Sequence, residues 1–397
     1  MTQIKLPFFV RNVAKILDKN WLYGNLTIGL PTQQVLRFNG KEPGPDAVID
    51  VKNYRFIKRI LASGDIGFCD GYKFGEWDTP DLNAVLEAFS LNLDRLDRLL
   101  NGHGLVQKIN NWLHAFNKNS KSGSKRNIFA HYDLGNSFYS QWLDHTMTYS
   151  AALYDSVPLI ELEAAQTHKY AELARLVDLK PGQSVLEIGC GWGGFAEYAA
   201  QNIGAHITCL TISQAQFDYA VERMKRKGLS HLVDIKLMDY RDISGQFDSI
   251  VSIEMFEAVG EDYWPTYFDQ VKSCLKSGGK AGLQIITIRD DLFDDYKART
   301  DFIQKYVFPG GMLPSLKKLM EQAKRTGLNM LTTRQFGLDY SRTLKEWRDR
   351  FEKAWREGRI KGFDDPFRKL WLFYLAYCAA GFQTKRTDVI HLQLIKN

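Results

Sequence analysis

Apolar segments of strand length alternate with helical patterns in the second half of this chain. Short apolar runs predict five strands, at 184–188, 206–210, 233–238, 247–253 and 280–288. Helical patterns precede and separate them, at 159–177, 214–227 and 263–275. This alternation is typical of an α/β fold with a doubly wound, mostly parallel sheet and right-handed crossovers. We expect its ligands to bind at the carboxyl ends of the strands.

The first part of the chain follows a different pattern, which predicts a smaller α+β domain. Alternating apolar positions indicate strands at 24–28, 34–38 and 47–51, and helical periods follow at 53–63 and 81–93. A polar, basic stretch with the composition of a flexible linker then separates the two patterns. We therefore predict an N-terminal domain over 1–116, for which we consider a lipid-binding role, a linker over 117–127 and a catalytic domain over 128–397.

The strand at 184–188 ends in a glycine-rich turn, and a helical segment follows at 195–200. Glycines let the backbone approach a ligand closely, and the start of a helix offers free N–H groups. Glu187, two residues before the first glycine, favours a cationic ligand such as the amino group and sulfonium of S-adenosylmethionine. From this motif alone, a nicotinamide or flavin site and a purely structural turn stay open as alternatives.

Composition narrows the class of protein without identifying it. The 397 residues are 45% apolar, as in globular proteins, and no apolar run reaches the length of about 18 residues that would predict a membrane span. The five cysteines show neither a disulfide framework nor metal-ligand spacing, so we expect a cytoplasmic protein. His131 and His145 lack the further ligands that a metal site needs. A net charge of +6 favours an anionic partner, either nucleic acid or acidic lipid headgroups.

Several short motifs occur in the same order as in one enzyme family. They are HYDLGN at 131–136, MTYS at 147–150, EIGCGWGG at 187–194, TIS at 211–213, DYRD at 239–242, MFEAVG at 255–260, FPGGMLP at 308–314 and FGLDY at 336–340. In these motifs, the chain from 128 to 397 resembles the cyclopropane-fatty-acyl-phospholipid synthase family of S-adenosylmethionine-dependent methyltransferases. The segment before the linker is similar to the N-terminal domain of that family, but more weakly.

The resemblance implies a site for S-adenosylmethionine as the methyl donor. A hydroxyl and an amide can bind the ribose diol without adding charge. Thr211 could also help to cap the helix that follows it, and the two roles are compatible. The implied contacts are Tyr149, Ser150, Gly189 and Gly191 for the methionine end, Thr211 and Gln216 for the ribose, and Asp239 and Tyr240 for the adenine.

The resemblance also implies an acceptor, the cis double bond of an unsaturated phospholipid acyl chain. An alkene is a weak nucleophile, so the enzyme must position it in a dry site next to a strong electrophile. Methyl transfer leaves a carbocation on the chain, and aromatic faces can stabilise a cation. The aromatic candidates are Tyr132, Tyr149, Phe256, Tyr306 and Tyr340, and a packing role is equally open for each of them.

Closing a cyclopropane ring needs a base, and the resemblance implies a bound bicarbonate. In the family, a cysteine, a glutamate, a histidine, a backbone amide and a tyrosine hold this anion. Glu257 and Tyr340 match two of these positions, whereas Ala151 replaces the cysteine and Gln284 the histidine. The backbone N–H of Ala151 and the amide of Gln284 can still donate to an anion. Alternatively, Glu257 acts directly as the base if burial raises its pKa.

We therefore expect a cytoplasmic enzyme, peripheral on the inner membrane face, that alkylates unsaturated phospholipid acyl chains and does not bind nucleic acid. A cyclopropane is the expected product because most of the motif set is retained. A methyl-branched product, a non-catalytic lipid-binding protein, and a methyltransferase for RNA or a soluble small molecule are the alternatives. The resemblance also suggests a homodimer. Finally, the apolar run at 370–377 predicts a buried helix that packs on the sheet or walls an acyl tunnel.

Overall fold

The computed structural model of this chain describes residues 6–100, 134–155 and 160–397. Its N-terminal part contains a four-stranded sheet in the order β2-β1-β3-β4, in which β1 is antiparallel to β2 and parallel to β3. The elements are α1 (Phe8–Asn20), β1 (Tyr23–Gly29), β2 (Val35–Asn39), β3 (Glu42–Val51), α2 (Arg55–Lys73), β4 (Trp77–Asp78) and α3 (Leu82–Leu100). Helices and sheet thus occur together in the part that the sequence predicted to be α+β.

Helix α2 is longer than its sequence pattern predicted because it bends at a glycine. Gly64 has φ 58° and ψ −128°, a conformation that glycine adopts without a steric penalty. The bend changes the direction of the buried face, so a single helical period does not continue past it. Helix α1 is a further element that the pattern did not predict, although Val10 and Leu17 bury one of its faces.

A seven-stranded sheet in the order β10-β11-β9-β8-β5-β6-β7 forms the second part. The strands β5 to β9 are parallel, which confirms the predicted doubly wound α/β fold. Two strands that the sequence pattern did not predict, β10 and β11, extend this sheet in antiparallel pairing beyond β9. The strands are β5 (Ser184–Ile188), β6 (His206–Thr211), β7 (Val233–Leu237), β8 (Phe247–Ile253), β9 (Leu275–Ile288), β10 (Asn329–Gln335) and β11 (Thr387–Ile395).

The strand order reverses between β5 and β8, and in open α/β sheets such a switch point leaves a crevice at the carboxyl ends of the strands. Helices surround the sheet and the crevice. They are α4 (Asn136–Tyr139), α5 (Leu162–Leu176), α6 (Gly194–Ile203), α7 (Gln214–Arg226), α8 (Trp264–Cys274), α9 (Phe293–Lys297), α10 (Phe302–Tyr306), α11 (Leu316–Thr326), α12 (Gly337–Arg356) and α13 (Asp365–Gln383).

Helix α13 contains the apolar run at 370–377 and joins the two parts of the molecule. It packs mainly against α12, α2 and α3 and less against β11 of the sheet, so the expectation of a helix lying on the sheet was only partly right. Phe373 shows the connection, because its ring contacts Phe68 of α2 at 6.0 Å and Phe302 of α10 at 5.1 Å between centroids. Among the helices described, none has the length and apolar character needed to cross a bilayer.

The predicted linker at 117–127 and the domain boundary at 116 lie outside the described residues, so this division of the chain stays a prediction. All five cysteines are free, and four of them are buried.

Candidate active site

The turn after β5 brings backbone close to its neighbours in a way that only glycine allows. Gly189 has φ 82° and Gly191 φ 53°, in the left-handed region that favours glycine. A side chain at Gly189 would place its Cβ 2.6 Å from the Met255 side chain. At Gly194, the first residue of α6, a Cβ would lie 2.3 Å from the Tyr170 hydroxyl. At Gly191, by contrast, a Cβ would meet no atom within 4 Å, so the turn leaves open space there, where the glycine motif predicted a bound ligand.

Arg223 of α7 fixes this turn against the loop at 144–150. Its Nη1 donates to the carbonyl oxygens of Thr146 at 2.7 Å and Trp192 at 3.2 Å. Its Nε pairs with the Glu197 carboxylate at 2.5 Å. Because Arg223 is itself buried, it holds the glycine turn and the neighbouring loop in one arrangement.

Glu187 lies at the carboxyl end of β5, and its side chain is buried against the cavity described below. The Cys209 thiol donates to its Oε2 at 3.5 Å. Burial raises the pKa of Glu187 to about 8, although the thiol hydrogen bond and the charge of Arg223 act in the opposite direction. A buried carboxyl with so weak a partner fits a ligand that brings its own positive charge.

The residues predicted to meet the ribose and adenine also line the cavity. The Thr211 hydroxyl donates to Gln216 Oε1 at 2.9 Å, while Ser213 caps α7 by accepting from the backbone N–H of Gln216. Asp239 accepts two hydrogen bonds from the Arg241 guanidinium, at 2.6 and 2.8 Å, so an adenine would meet an ion pair rather than a lone carboxylate. The buried Tyr240 hydroxyl has no hydrogen-bond partner among the described residues.

Tyr149 and Ser150 lie on the opposite side of the turn and line the same cavity. The hydroxyl of Tyr149 is 2.7 Å from that of Tyr374, on α13. The Ser150 hydroxyl accepts a hydrogen bond from the ammonium group of Lys169 at 2.7 Å, and this lysine of α5 is fully buried. The residues predicted to bind S-adenosylmethionine thus converge around one space. The buried Lys169 lies behind Ser150.

The sequence alone did not indicate the carboxylate at the centre of the site, that of Glu254. It follows β8 directly and lines the cavity. Its Oε1 accepts hydrogen bonds from Ala151 N at 2.8 Å and Gln284 Nε2 at 2.7 Å, and its Oε2 accepts one from the Tyr340 hydroxyl at 2.6 Å. Three of the four residues predicted as catalytic therefore hold this carboxylate, and Ala151 and Gln284 lie behind it rather than on the cavity wall.

Two features set the position and charge of Glu254. Its φ of 49° is left-handed, which costs a non-glycine residue about 1–2 kcal/mol. Burial raises the pKa of its carboxyl, while the Tyr340 hydrogen bond and the charge of Lys169 oppose that rise. Position could have suggested Glu254, as an acidic residue at a strand end, but its backbone conformation and its partners could not be read from the sequence.

His391 of β11 orients one of these partners. Burial lowers its pKa to about 3, so the imidazole is neutral at physiological pH. Its Nε2 lies 3.0 Å from Gln284 Oε1, and because an amide oxygen only accepts, the imidazole N–H donates. This contact turns the amide nitrogen of Gln284 towards Glu254.

Glu257 stands in the short 3₁₀ turn at 256–258, also on the cavity wall. Its Oε1 accepts from the backbone N–H of Ile286 at 2.5 Å, and its buried Oε2 has no partner in the described part of the chain. Burial, and then the charge of Glu254, raise the pKa of Glu257 to about 8. The condition under which it was predicted to act as a base is therefore met.

The aromatic candidates divide between the cavity and the core. Tyr149 and Tyr340 line the cavity. Phe256 does not, because it is enclosed by aromatic rings of α8, and Tyr306 instead donates to Asp70 at 2.9 Å. Tyr132 lies outside the described residues. No His, Cys, Asp and Glu group within the described ranges could hold a metal ion, and His131 falls outside them.

One cavity of about 590 Å³ connects all of these groups with the N-terminal part of the molecule. Its wall is mainly apolar, although Asp65, Asp301 and Arg386 also line it. The distal lining includes Phe68 of α2, Leu86, Phe89 and Leu93 of α3, and Tyr377 and Cys378 of α13. Helix α13 thus contributes to the wall of the cavity, and the acyl-tunnel role considered for the 370–377 run stays a prediction.

Comparison with known proteins confirms the family resemblance. A family described as mycolic acid cyclopropane synthetase matches residues 119–392. The cyclopropane-fatty-acyl-phospholipid synthase of Escherichia coli is 36% identical over 94% of this chain and 92% of its own length. The tuberculostearic acid methyltransferase of Mycobacterium tuberculosis is 38% identical over 85% of this chain and 81% of its own.

A solved structure bears on the donor. A mycolic acid cyclopropane synthase in complex with SAH and CTAB covers 68% of this chain and 98% of its own, at 27% identity and a TM-score of 0.63. Together with the buried Glu187 and the open glycine turn, this assigns S-adenosylmethionine as the methyl donor. The donor supplies an electrophilic methyl group, and Glu187, Thr211 and Gln216, which were predicted to contact it, line the cavity.

Binding of S-adenosylmethionine should release a proton from Glu187. Its carboxyl, with a pKa of about 8, is largely protonated at neutral pH, and a cationic donor favours the charged form. Isothermal titration calorimetry in two buffers of different ionisation enthalpy should show the release at neutral pH and its loss well above pH 8. Glu187→Gln should abolish it and weaken donor binding by about 1.5 kcal/mol, roughly tenfold.

The exposed Asp234 provides a control, since Asp234→Asn removes a carboxylate far from the turn. This variant should release protons like the wild type. Equal proton release by Glu187→Gln and the wild type would contradict the assignment.

Proposed function

This chain belongs to the mycolic acid cyclopropane synthetase family, and from that premise we propose that it forms cyclopropane rings on unsaturated phospholipid acyl chains. It is an S-adenosylmethionine-dependent methyltransferase that acts on lipid acyl chains. The proposal adds the phospholipid, the cis double bond and the product. One observation carries it: the donor turn opens directly into a long, mainly apolar cavity whose near end holds two carboxyl groups.

The walls of the cavity suit a substrate that enters neutral and becomes cationic. Tyr149 and Tyr340 can face the chain where the charge develops. Glu254 places negative charge nearby before the reaction begins, so little reorganisation is needed, and the Glu257 carboxyl lies three residues further on. The apolar wall beyond them takes the remainder of the acyl chain and keeps water away, which protects the cation from hydration.

A methyl-branched product is the second candidate. The specific observation that favours it is the loss of the cysteine and histidine positions at Ala151 and Gln284, since a differently placed base would remove a different proton. The name of the similar mycobacterial relative, a tuberculostearic acid methyltransferase, is compatible with this candidate. Both candidates share the donor, the acceptor and the cation, and they diverge only in the final proton loss.

Incubation with labelled S-adenosylmethionine tests this function. Label should enter the lipid of vesicles made from phospholipids with cis-unsaturated chains, and vesicles with saturated chains should stay unlabelled. NMR of the isolated product should show ring protons of a cyclopropane. Olefinic and methyl signals in their place would support the branched product. Absence of label from the lipid fraction would contradict both candidates.

Glu257→Gln should lower the turnover number about 100-fold or more and leave donor binding nearly unchanged. The amide oxygen can still accept from the Ile286 N–H, so the fold is kept while the titratable carboxyl is lost. The rate of label transfer measures the turnover number, and calorimetry measures the binding of S-adenosylmethionine. Glu261→Gln, at a carboxylate that pairs with Lys297, is the control and should retain full activity. A Glu257→Gln variant with unchanged turnover would remove Glu257 from the reaction.

Two exposed aromatic residues of the N-terminal part support the proposal that the enzyme binds to a membrane surface. Phe8 is 71% and Phe74 is 54% exposed. Arg59 and Lys73 lie over the Phe74 ring, at 5.2 and 5.3 Å from its centroid. An apolar ring flanked by cations suits a surface of anionic lipid, where the ring enters the interface and the cations meet headgroups.

The double variant Phe8→Ser/Phe74→Ser should bind anionic vesicles at least about tenfold more weakly, because two apolar side chains no longer enter the interface. Vesicle sedimentation measures the binding. Met320→Ser, at a similarly exposed position of α11, is the control and should bind like the wild type. Undiminished binding of the double variant would rule out this surface.

A further inference from the structure

The donors that the family resemblance assigns to bicarbonate are already satisfied by a side chain of the protein. The backbone N–H of Ala151, the Gln284 amide and the Tyr340 hydroxyl all donate to Glu254, within 2.6–2.8 Å. The nearby N–H of Ile286 donates to Glu257. An external anion in this position would have to displace a carboxylate from each of these donors.

The charge around the site also disfavours a second anion. Glu254 and Glu257 are three residues apart, and the charge of Glu254 already raises the pKa of Glu257. A bicarbonate would add a further negative charge to the same enclosure, at an unfavourable Coulomb energy. The buried Lys169 is the nearby opposite charge and favours the charged form of Glu254, although burial lowers the pKa of Lys169 itself to about 7.

The backbone at Glu254 is consistent with a functional constraint. A non-glycine residue in the left-handed region is uncommon, and such residues concentrate at active sites. Here that conformation directs the side chain to the convergent donors and to the cavity.

We propose that Glu254 is the built-in base of this enzyme and takes the proton that a bound bicarbonate would otherwise take. The inference rests on the proposed function. In the step, one alkene carbon bonds to the methyl group while the carbon–sulfur bond breaks and its electron pair stays on sulfur. The other alkene carbon becomes cationic. A C–H bond of the new methyl then closes the ring with its electron pair, and its proton passes to the Glu254 carboxylate.

Lys169 and Gln284 act as positioning residues in this scheme. Lys169 holds Ser150 at 2.7 Å and supplies the charge that keeps Glu254 ready to accept a proton. Gln284, itself held by His391, donates to the carboxylate without competing for the proton. Ala151 contributes its backbone N–H, which donates to Glu254 Oε1 at 2.8 Å.

The variant Glu254→Gly tests the proposal, because glycine suits the left-handed backbone and leaves space where the carboxylate was. Wild-type label transfer should be equal in carbon-dioxide-free buffer and in bicarbonate. Glu254→Gly should lose about 100-fold or more of that rate and regain a substantial part of it with added bicarbonate, formate or acetate. Glu254→Gln keeps the size and fills the same space but cannot take up a proton, so it should be inactive and not respond to these anions.

Three results would overturn the proposal. They are a wild-type rate that requires bicarbonate, a Glu254→Gly rate equal to that of the wild type without added anion, and a folded, donor-binding Glu254→Gly that no carboxylate restores. Binding of ¹³C-bicarbonate, followed by NMR with donor present, gives a readout that does not need turnover. The wild type should not bind it and Glu254→Gly should. Bicarbonate binding by the wild type would overturn the role of Glu254 alone, whereas absence of label from lipid in every buffer would count against the proposed function.

Discussion

The site depends on carboxyl groups held inside a mainly apolar enclosure. Glu187, Glu254 and Glu257 lie at or just after the carboxyl ends of β5 and β8, and burial raises the pKa of each. Carboxylates in such a place need directed hydrogen-bond donors or a cationic partner. The fold supplies hydrogen-bond donors to Glu254 and Glu257. The cationic S-adenosylmethionine suits Glu187. The lipid substrate, neutral on entry, becomes cationic beside Glu254, whose carboxylate is already held by three hydrogen-bond donors.

The doubly wound fold explains why these groups meet. The order of the parallel strands reverses between β5 and β8, so the glycine turn after one strand faces Glu254 after the other. Gln284 and His391 come from β9 and β11, which pair side by side in register. Helix α13 then closes the cavity and extends it to α2 and α3, so the N-terminal part contributes wall to the same space. Chemistry and acyl-chain binding therefore share one enclosure.

The sequence predicted those features that local patterns determine. The parallel strands β5 to β9 are continuous apolar runs, and the glycine turn is a short contiguous motif. The antiparallel strands β10 and β11 were missed because no distinctive local pattern marks them in the sequence. Their extended conformation is stabilised by pairing at the edge of the sheet, beyond β9. Ala151 and Gln284 were predicted as donors to an anion, but their acceptor, Glu254, was not. The position of the Glu254 side chain depends on a left-handed φ. It also depends on donors that lie 103 residues before Glu254, at Ala151, and 30 residues after it, at Gln284. No local pattern in a single sequence specifies such a convergence.

A crystal structure of the protein grown with S-adenosylhomocysteine and a high concentration of bicarbonate would test the central claim most directly. The account predicts density for the Glu254 carboxylate between Ala151 N, Gln284 Nε2 and the Tyr340 hydroxyl, with no anion bound to these donors. A bicarbonate on the same three donors, with the Glu254 side chain turned away from them, would contradict it.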